Sequence, residues 1–480
     1  MNHLAQARMA FPVVLLGSLV LLGGLDQSML VVAIPAIGRE FTSSVEPGLV
    51  VSSYAVAAAI SVPCFGALAN RLGAWPSLGF ALTVFLAGSA ACALSQFFPA
   101  LVAARALQGA GAGGMGTGAQ LVAVERMSVA DRAWLQSSMS LVILLSGALG
   151  PILGVGILKH ASWRAFFWLN VPILLSQLIL LICYFGLPTR SRHAAVSASF
   201  DYVGMLIFAS FSLSLLAASS RIGGHTSFSG FAGFPVKPPI YSLISLASLV
   251  ALLTRGMQST TAFIPVRAVG LQVWGLAAYS FLHVGLITAL PLAMTMAFTD
   301  TGQHGSLAPA LFAFTAAVPA GALVSGIRIR AGSQPIVLIT SGALLQAIGL
   351  EVAIYLLDGR TMIWTWGIAI AGFAAGISMP ATMISAQQCA PYPQEKSATY
   401  LIACCRSMGA GCAAVIFSWA PTADHVRPEQ AGLGLDLAPL HAALGPAFAR
   451  AEFAAQTAAL WAILLFAIQV QWGTRTGADD

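Results

Sequence analysis

Uninterrupted apolar runs recur along almost the whole chain, and about 20 such residues are what a helix needs to cross a hydrocarbon core about 30 Å thick. The first series lies at about 11–34, 49–69, 76–96, 98–122, 137–158 and 166–187. The second lies at about 202–219, 239–254, 272–298, 306–327, 335–357, 364–388, 397–419 and 453–473, which brings the expected spans to fourteen. The weakest, 239–254, is short and follows a Gly/Pro/Phe-rich stretch from Gly223 to Pro239, so a re-entrant hairpin stays open there. The runs are continuous and lack a period of two, which excludes an outer-membrane barrel. Only 8% of the 480 residues are charged and 58% are apolar, with a mean hydropathy of +0.85. A soluble domain carries roughly 25% charge, so this chain cannot cover a soluble surface. The expected class is an all-α polytopic membrane protein.

The formal charge of +6 does not point to nucleic acid, because the 22 Lys and Arg are scattered singly or in pairs. Read with the N-terminus inside, twelve of them, Arg8, Arg71, Arg126 and Arg132 among them, fall on the cytoplasmic side against eight outside. Excess positive charge marks cytoplasmic loops, so both termini are expected in the cytoplasm. The seven cysteines are odd in number and nearly all lie within apolar runs, where they read as small buried hydrophobes and not as metal ligands. The first apolar run is too long for a signal peptide and should stay as a span.

Ionisable residues inside spans are costly, which makes each a functional candidate. Asp26 lies about 15 residues into span one, roughly 22 Å from the inner face at 1.5 Å per residue. Arg105 lies about 7 residues into span four, which runs the other way, so roughly 10 Å from the outer face. The two depths coincide, and a buried Asp–Arg pair that protonation breaks can couple transport to a proton gradient. The structural alternative is a carboxylate that caps a fixed network. Arg105, Gln108, Gly109 and Ala112 share one helical face, as suits a helix packed in a bundle or lining a cavity. Span five carries Gly147, Gly150, Pro151, Gly154 and Gly156, small residues for close packing around a kinking proline.

Weaker candidates follow. His283, near mid-membrane in span nine, suits substrate binding or proton relay, although a lone buried His is more often a hydrogen-bonded structural group. Glu351 lies near the outer end of span eleven, and Arg406 in span thirteen suits tethering of neighbouring helices. Glu125, Arg126, Asp131 and Arg132 cluster at a cytoplasmic turn and read as a gate-side ion-pair network. No phosphate-binding loop, nucleophile elbow or His-Glu-x-x-His motif occurs, so no ATP or other cofactor is expected.

An internal echo divides the chain. Gly66-Ala-Leu-Ala-Asn70-Arg71-Leu-Gly73 follows span two, and Gly326-Ile-Arg-Ile-Arg330-Ala-Gly332 follows span ten. The two match in position if spans seven and eight are inserted between six-helix repeats, the plan of one large transporter fold. The expected divisions are 1–187, an N-terminal six-helix bundle; 188–271, a linker with two inserted helices; and 272–480, a C-terminal six-helix bundle.

Taken together, these motifs resemble the major facilitator superfamily, and within it the fourteen-helix drug:proton antiporters of the EmrB/QacA type. Leu25-Asp26 through Pro35 is similar to that branch's span-one motif, and Leu101, Arg105, Gln108, Gly109 and Gly111 to its span-four motif. Gly150-Pro151 with Gly154 is similar to the antiporter motif of span five, and Gly66 to Gly73 to the superfamily's loop between spans two and three. Trp163-Arg164, Phe167 to Pro172 and Phe200 to Gly204 resemble signatures around spans six and seven. The resemblance implies that Asp26 and Arg105 serve proton coupling, that Gly150 and Pro151 shape the export-side helix, and that Gly66, Asn70, Arg71 and Gly73 form a gating loop. Asn70 stands where that loop normally has Asp, and Ala74-Trp75 where a basic pair is usual, which implies a weaker charge latch. Val31 and Val155 are further departures.

The expected function is export of amphipathic small molecules from a bacterial cytoplasmic (inner) membrane, driven by proton influx, with a periplasmic adaptor left open as a partner. A dedicated exporter of one metabolite, siderophore or lipid is the alternative. A polytopic enzyme would need a cluster of carboxylates or histidines at one membrane face, and none is apparent. The topology makes a direct prediction: engineered cysteines at Ser191 and Gln430 label from opposite sides of the membrane. Labelling of both from one side contradicts it.

Overall fold

The computed structural model describes residues 2–41, 48–185, 201–222, 238–258, 269–301, 304–357, 364–391 and 394–417. The expected fourteenth span at 453–473 and the loop at 420–452 lie outside the described residues. Among those described, every regular element is a helix. The first series runs α1 (Asn2–Glu40), α2 (Gly48–Leu72), α3 (Ala74–Leu94), α4 (Phe98–Arg126), α5 (Val129–Leu158) and α6 (Arg164–Phe185). Then come α7 (Tyr202–Ile222) and α8 (Pro238–Gln258). The second series is α9 (Leu271–Thr301), α10 (His304–Arg330), α11 (Pro335–Leu357), α12 (Trp364–Cys389) and α13 (Glu395–Phe417). Nine of them are long and apolar enough to cross a membrane among the described residues, or ten if the bent pair Val14–Leu30 and Val32–Glu40 is one span. That pair meets at 41° near Val31.

Two compact units emerge. One comprises Met1–Ala218, Thr226–Gly270 and Ala390–Cys404, so α7 and α8 group with the first series; the other comprises Ser219–His225, Leu271–Cys389 and Cys405–Asp480. Within the first unit α4 packs most extensively on α2 and α3, and within the second α12 packs on α10 and α11. The fourth helix of each series thus takes the same neighbours, as an internal repeat requires. The two echoed turns also share a backbone. Gly73 (φ 101°) and Gly332 (φ 92°) both end a helix in the left-handed region, where a side chain would strain the chain.

The stretch at 239–254 is a helix of 21 residues, Pro238–Gln258, and its Ile240–Gln258 portion passes the spanning test by length and composition. It pairs antiparallel with α7: Arg255 Nη2 meets Asp201 Oδ1 at 2.7 Å, and Ser248 Oγ donates to Ser210 Oγ at 3.3 Å. Large apolar side chains such as Ile152 and Val155 on α5 and Ile179 on α6 point outward, as lipid-facing residues do.

The glycines on α4 set helix spacing. A Cβ on Gly109 would overlap the Tyr54 backbone of α2, whereas one on Gly116 meets nothing within 4 Å. Overpacked sites typically cost about 1–3 kcal/mol. Gly109→Ala should therefore lower the thermal midpoint of the detergent-purified protein by several degrees, and Gly116→Ala should not. Equal midpoints for the two variants would contradict this spacing role.

Candidate functional site

The first unit buries a charge pair at its centre. Asp26 on α1 is 1% exposed and Arg105 on α4 is fully buried. Arg105 Nη1 donates to Asp26 Oδ2 at 2.7 Å and to Gln108 Oε1 at 2.6 Å, while its Nε donates to the Val50 carbonyl at 3.3 Å. The guanidinium carbon sits 4.3 Å from the centre of the Tyr54 ring, a cation–π contact on the face left over. The second carboxylate oxygen is satisfied separately. Asp26 Oδ1 accepts from Gln108 Nε2 at 3.0 Å and from Asn170 Nδ2 at 2.6 Å, and both amides also donate to Ser89 Oγ. Three donors, Arg105, Gln108 and Asn170, converge on one carboxylate.

Sequence periodicity places Arg105 and Gln108 one turn apart on α4, so both project at the same level. Asn170 on α6 was not singled out as a site residue, yet it makes the shortest amide contact to Asp26. The signal was present: it is one of three asparagines in the chain and stands within an apolar run.

Span five locks α1 beside this pair. Ser28 Oγ donates to the Ser146 carbonyl at 2.8 Å. A Cβ on Gly24 would overlap Ser146, and one on Gly150 would overlap Ser28. The two serine–glycine contacts repeat four residues apart on both helices, so α1 and α5 run parallel in register. Gly154 continues the seam against Met29. Helix α5 is continuous across Pro151, whose side chain is outside the described residues.

The loop motif is placed differently from its charge pattern. Asn70 and Arg71 are exposed, whereas Gly66 packs where a Cβ would overlap the Tyr400 ring. The carboxylate at this turn is Glu125, whose Oε1 accepts from the Ala74 amide at the start of α3 at 3.1 Å and from Lys396 Nζ. Arg132 pairs with Glu395 at 2.9 Å and donates to the Val124 and Met127 carbonyls. Ser128 caps α5: its Oγ accepts from the Asp131 amide and donates to Asp131 Oδ2. The charged cluster of the sequence is thus joined by Glu395 and Lys396 from the segment Ala390–Cys404.

The remaining candidates are dispersed. His283 is 1% exposed and lies between Tyr279 and the Ala375 carbonyl. Arg406 donates to the Met379 carbonyl. Glu351 is exposed and forms no ion pair among the described residues. No group of three or more His, Cys, Asp or Glu side chains suited to a metal ion occurs among the described residues.

A family model for the Major Facilitator Superfamily matches residues 16–415. The chain belongs to that superfamily. Its members are transporters and not enzymes. The match embraces both helix series, and the buried pair lies within it.

Individual relatives are distant. The chain is similar to an uncharacterized MFS-type transporter of Mycobacterium tuberculosis, 30% identical over 278 residues, a stretch that is 57% of this chain and only 39% of that protein. It is similar to the MFS-type efflux pump MMF1 of Pseudozyma antarctica, 27% identical over 81% of this chain and 72% of the pump. The multidrug resistance protein fnx1 of Schizosaccharomyces pombe is 24% identical over 76% of this chain and 70% of its own length. Among solved structures, the human organic anion transporter MFSD10 superposes with a TM-score of 0.60 at 18% identity, covering 96% of this chain and 98% of that one. The proton:xylose symporter XylE gives 0.59 at 15% identity, covering 96% and 94%. At such identities these structures speak for the fold alone.

Removing one member of a buried ion pair strands the other, at a cost on the order of 3–5 kcal/mol. Asp26→Asn and Arg105→Gln should each lower the thermal midpoint, and the double variant should recover most of the loss. Additive losses in the double variant would show that the pair does not couple.

Proposed function

We propose that this transporter is a proton-coupled exporter of amphipathic small molecules, of the fourteen-helix drug:proton antiporter type, with both termini in the cytoplasm of a bacterial inner-membrane setting. The observation that carries the reading is the Asp26–Arg105 pair. It is a titratable carboxylate buried in a bundle, matched to one cation, in a chain where carboxylates are scarce. Two relatives, an efflux pump and a multidrug resistance protein, support the direction of transport.

The hydrogen bonds suggest how the pair parts. Protonation of Asp26 removes the charge that Arg105 neutralises. The guanidinium then keeps Gln108 Oε1 and the Val50 carbonyl as acceptors and Tyr54 as a π-face, so it is not left without partners. The neutral acid keeps Asn170 and Gln108 as donors to Oδ1. Gln108 bonds to both members, so parting them means that it keeps one and releases the other, and a switch between those two arrangements is the kind of element that alternating access needs. Each proton moved inward through the membrane potential contributes about 2.3 kcal/mol per 100 mV, enough for roughly fiftyfold accumulation.

In everted membrane vesicles carrying an imposed pH gradient, the wild type should accumulate fluorescent amphipathic compounds. Asp26→Asn, checked for folding by size-exclusion chromatography, should lose at least about tenfold of that gradient-driven rate, and Asp26→Glu should retain part of it. A wild-type rate from Asp26→Asn would place coupling at another carboxylate.

A further inference from the structure

The second unit holds a cation that nothing described within it balances. Arg406 stands eleven residues beyond the start of α13 at Glu395, roughly 17 Å along the helix at 1.5 Å per residue, and so deep within a core about 30 Å thick. Its Nη2 donates to the Met379 carbonyl of α12, and its Nε is enclosed without a hydrogen-bond partner. Among the described residues no carboxylate comes within ion-pair distance of it. The only carboxylate in that unit with a described side chain is Glu351, and it is exposed.

His283 does not supply the missing charge. Its Nε2 lies 3.0 Å from the Ala375 carbonyl, an acceptor, so Nε2 carries the proton. Nδ1 faces Tyr279 Oη at 3.4 Å, and in no protonation state does the ring carry a negative charge. The Tyr279 and His283 rings stack with centroids 5.2 Å apart and 16° between planes. His283 and Arg406 bond to the carbonyls of Ala375 and Met379, one turn apart on α12, which brings them to one face of that helix. Arg105 in the first unit shows the contrast: it has Asp26 opposite, Gln108 beside it and Tyr54 over its face.

An arginine at this depth does not face hydrocarbon; it faces the bundle interior or a water-filled cavity, and it marks a pathway for a partner of opposite sign. Arg406 is half-buried. We propose that the Arg406 site binds the anionic group of an amphipathic organic acid, a carboxylate, sulfonate or phosphate, and that such acids are the exported class. The inference deepens the export reading and rests on it for the step from ligand to substrate. The Nη hydrogens not used by Met379 are planar donors that suit a two-oxygen anion, and each bond to it is charge-assisted. Before binding, the cation bears the cost of incomplete pairing, and an incoming anion removes it. A neutral or cationic amphipath cannot.

The test uses the full-length protein in neutral detergent, with dansyl-aminoundecanoic acid and its methyl ester as matched fluorescent probes. The acid should bind wild type at least about tenfold more tightly than the ester. Arg406→Gln should abolish that preference without changing ester binding, and Arg406→Lys should keep part of it. Equal binding of acid and ester to wild type, no binding of the acid, or an undiminished preference in Arg406→Gln would overturn the proposal. So would Arg406-dependent binding of phosphatidylglycerol without acid selectivity, which would make a lipid headgroup the occupant. The wild-type comparison needs no variant, so a misfolded Arg406→Gln leaves the test intact. No gradient is applied, so acid selectivity is decided separately from proton coupling at Asp26.

Discussion

A charge withdrawn from water must find its opposite, and the cost of failing to do so organises the first unit. Asp26 and Arg105 come from helices far apart in sequence, α1 and α4, and each is tolerable in a bilayer because the other is there. Gln108 bonds to both members at once and Asn170 completes the carboxylate, while Ser89 ties the two amides together. Around this group the surrounding helix faces are apolar. The polar cluster therefore fixes which faces of α1, α3, α4 and α6 turn inward, more narrowly than lipid-like packing alone would.

Close approach of the backbones follows from the same need. A guanidinium and a carboxylate meet at 2.7 Å only if α1 and α4 are held at one spacing. The glycines supply that spacing: Gly109 lets α4 rest on the backbone of α2, and Gly24 and Gly150 interlock α1 with α5 through Ser146 and Ser28. Membrane helices have no hydrophobic drive toward one another, so small residues and interhelical hydrogen bonds carry their association. The small-residue stripe of span five and the polar stripe of span four thus serve one geometry.

Much of this was legible in the sequence, for reasons that can be named. Helices in lipid must satisfy their own backbones, so apolar length translates directly into spans, and charge inside a span announces itself. Depth counting brings Asp26 and Arg105 to one level, and the structure brings them into contact. Asn170 escaped because a neutral amide in an apolar run carries no charge to flag it, and its partner is fixed by the rotation of α6, which local periodicity does not encode. The loop motif misled in a different way: Asn70 and Arg71 are exposed, and the carboxylate that caps α3 comes from Glu125 at the far end of α4. Pairing across tertiary structure is invisible to a motif read along the chain. For the same reason α8 looked too short: its pairing with α7, through Ser248 with Ser210 and Arg255 with Asp201 just before α7, is not written in its own hydropathy.

The two series share a helix-packing plan but differ in charge: one buries a balanced pair, the other holds an arginine without a carboxylate partner among the described residues, and a buried histidine. A division of labour between proton and cargo follows if the carboxylate of the balanced pair takes up a proton during the cycle. Infrared difference spectroscopy of the protein reconstituted in lipid reads that event directly, through the C=O band of a protonated carboxyl group. Across the pH range in which the protein transports, acidification should raise such a band in the wild type and not in Asp26→Asn. An identical band in both, or none in the wild type, would contradict a proton-carrying Asp26.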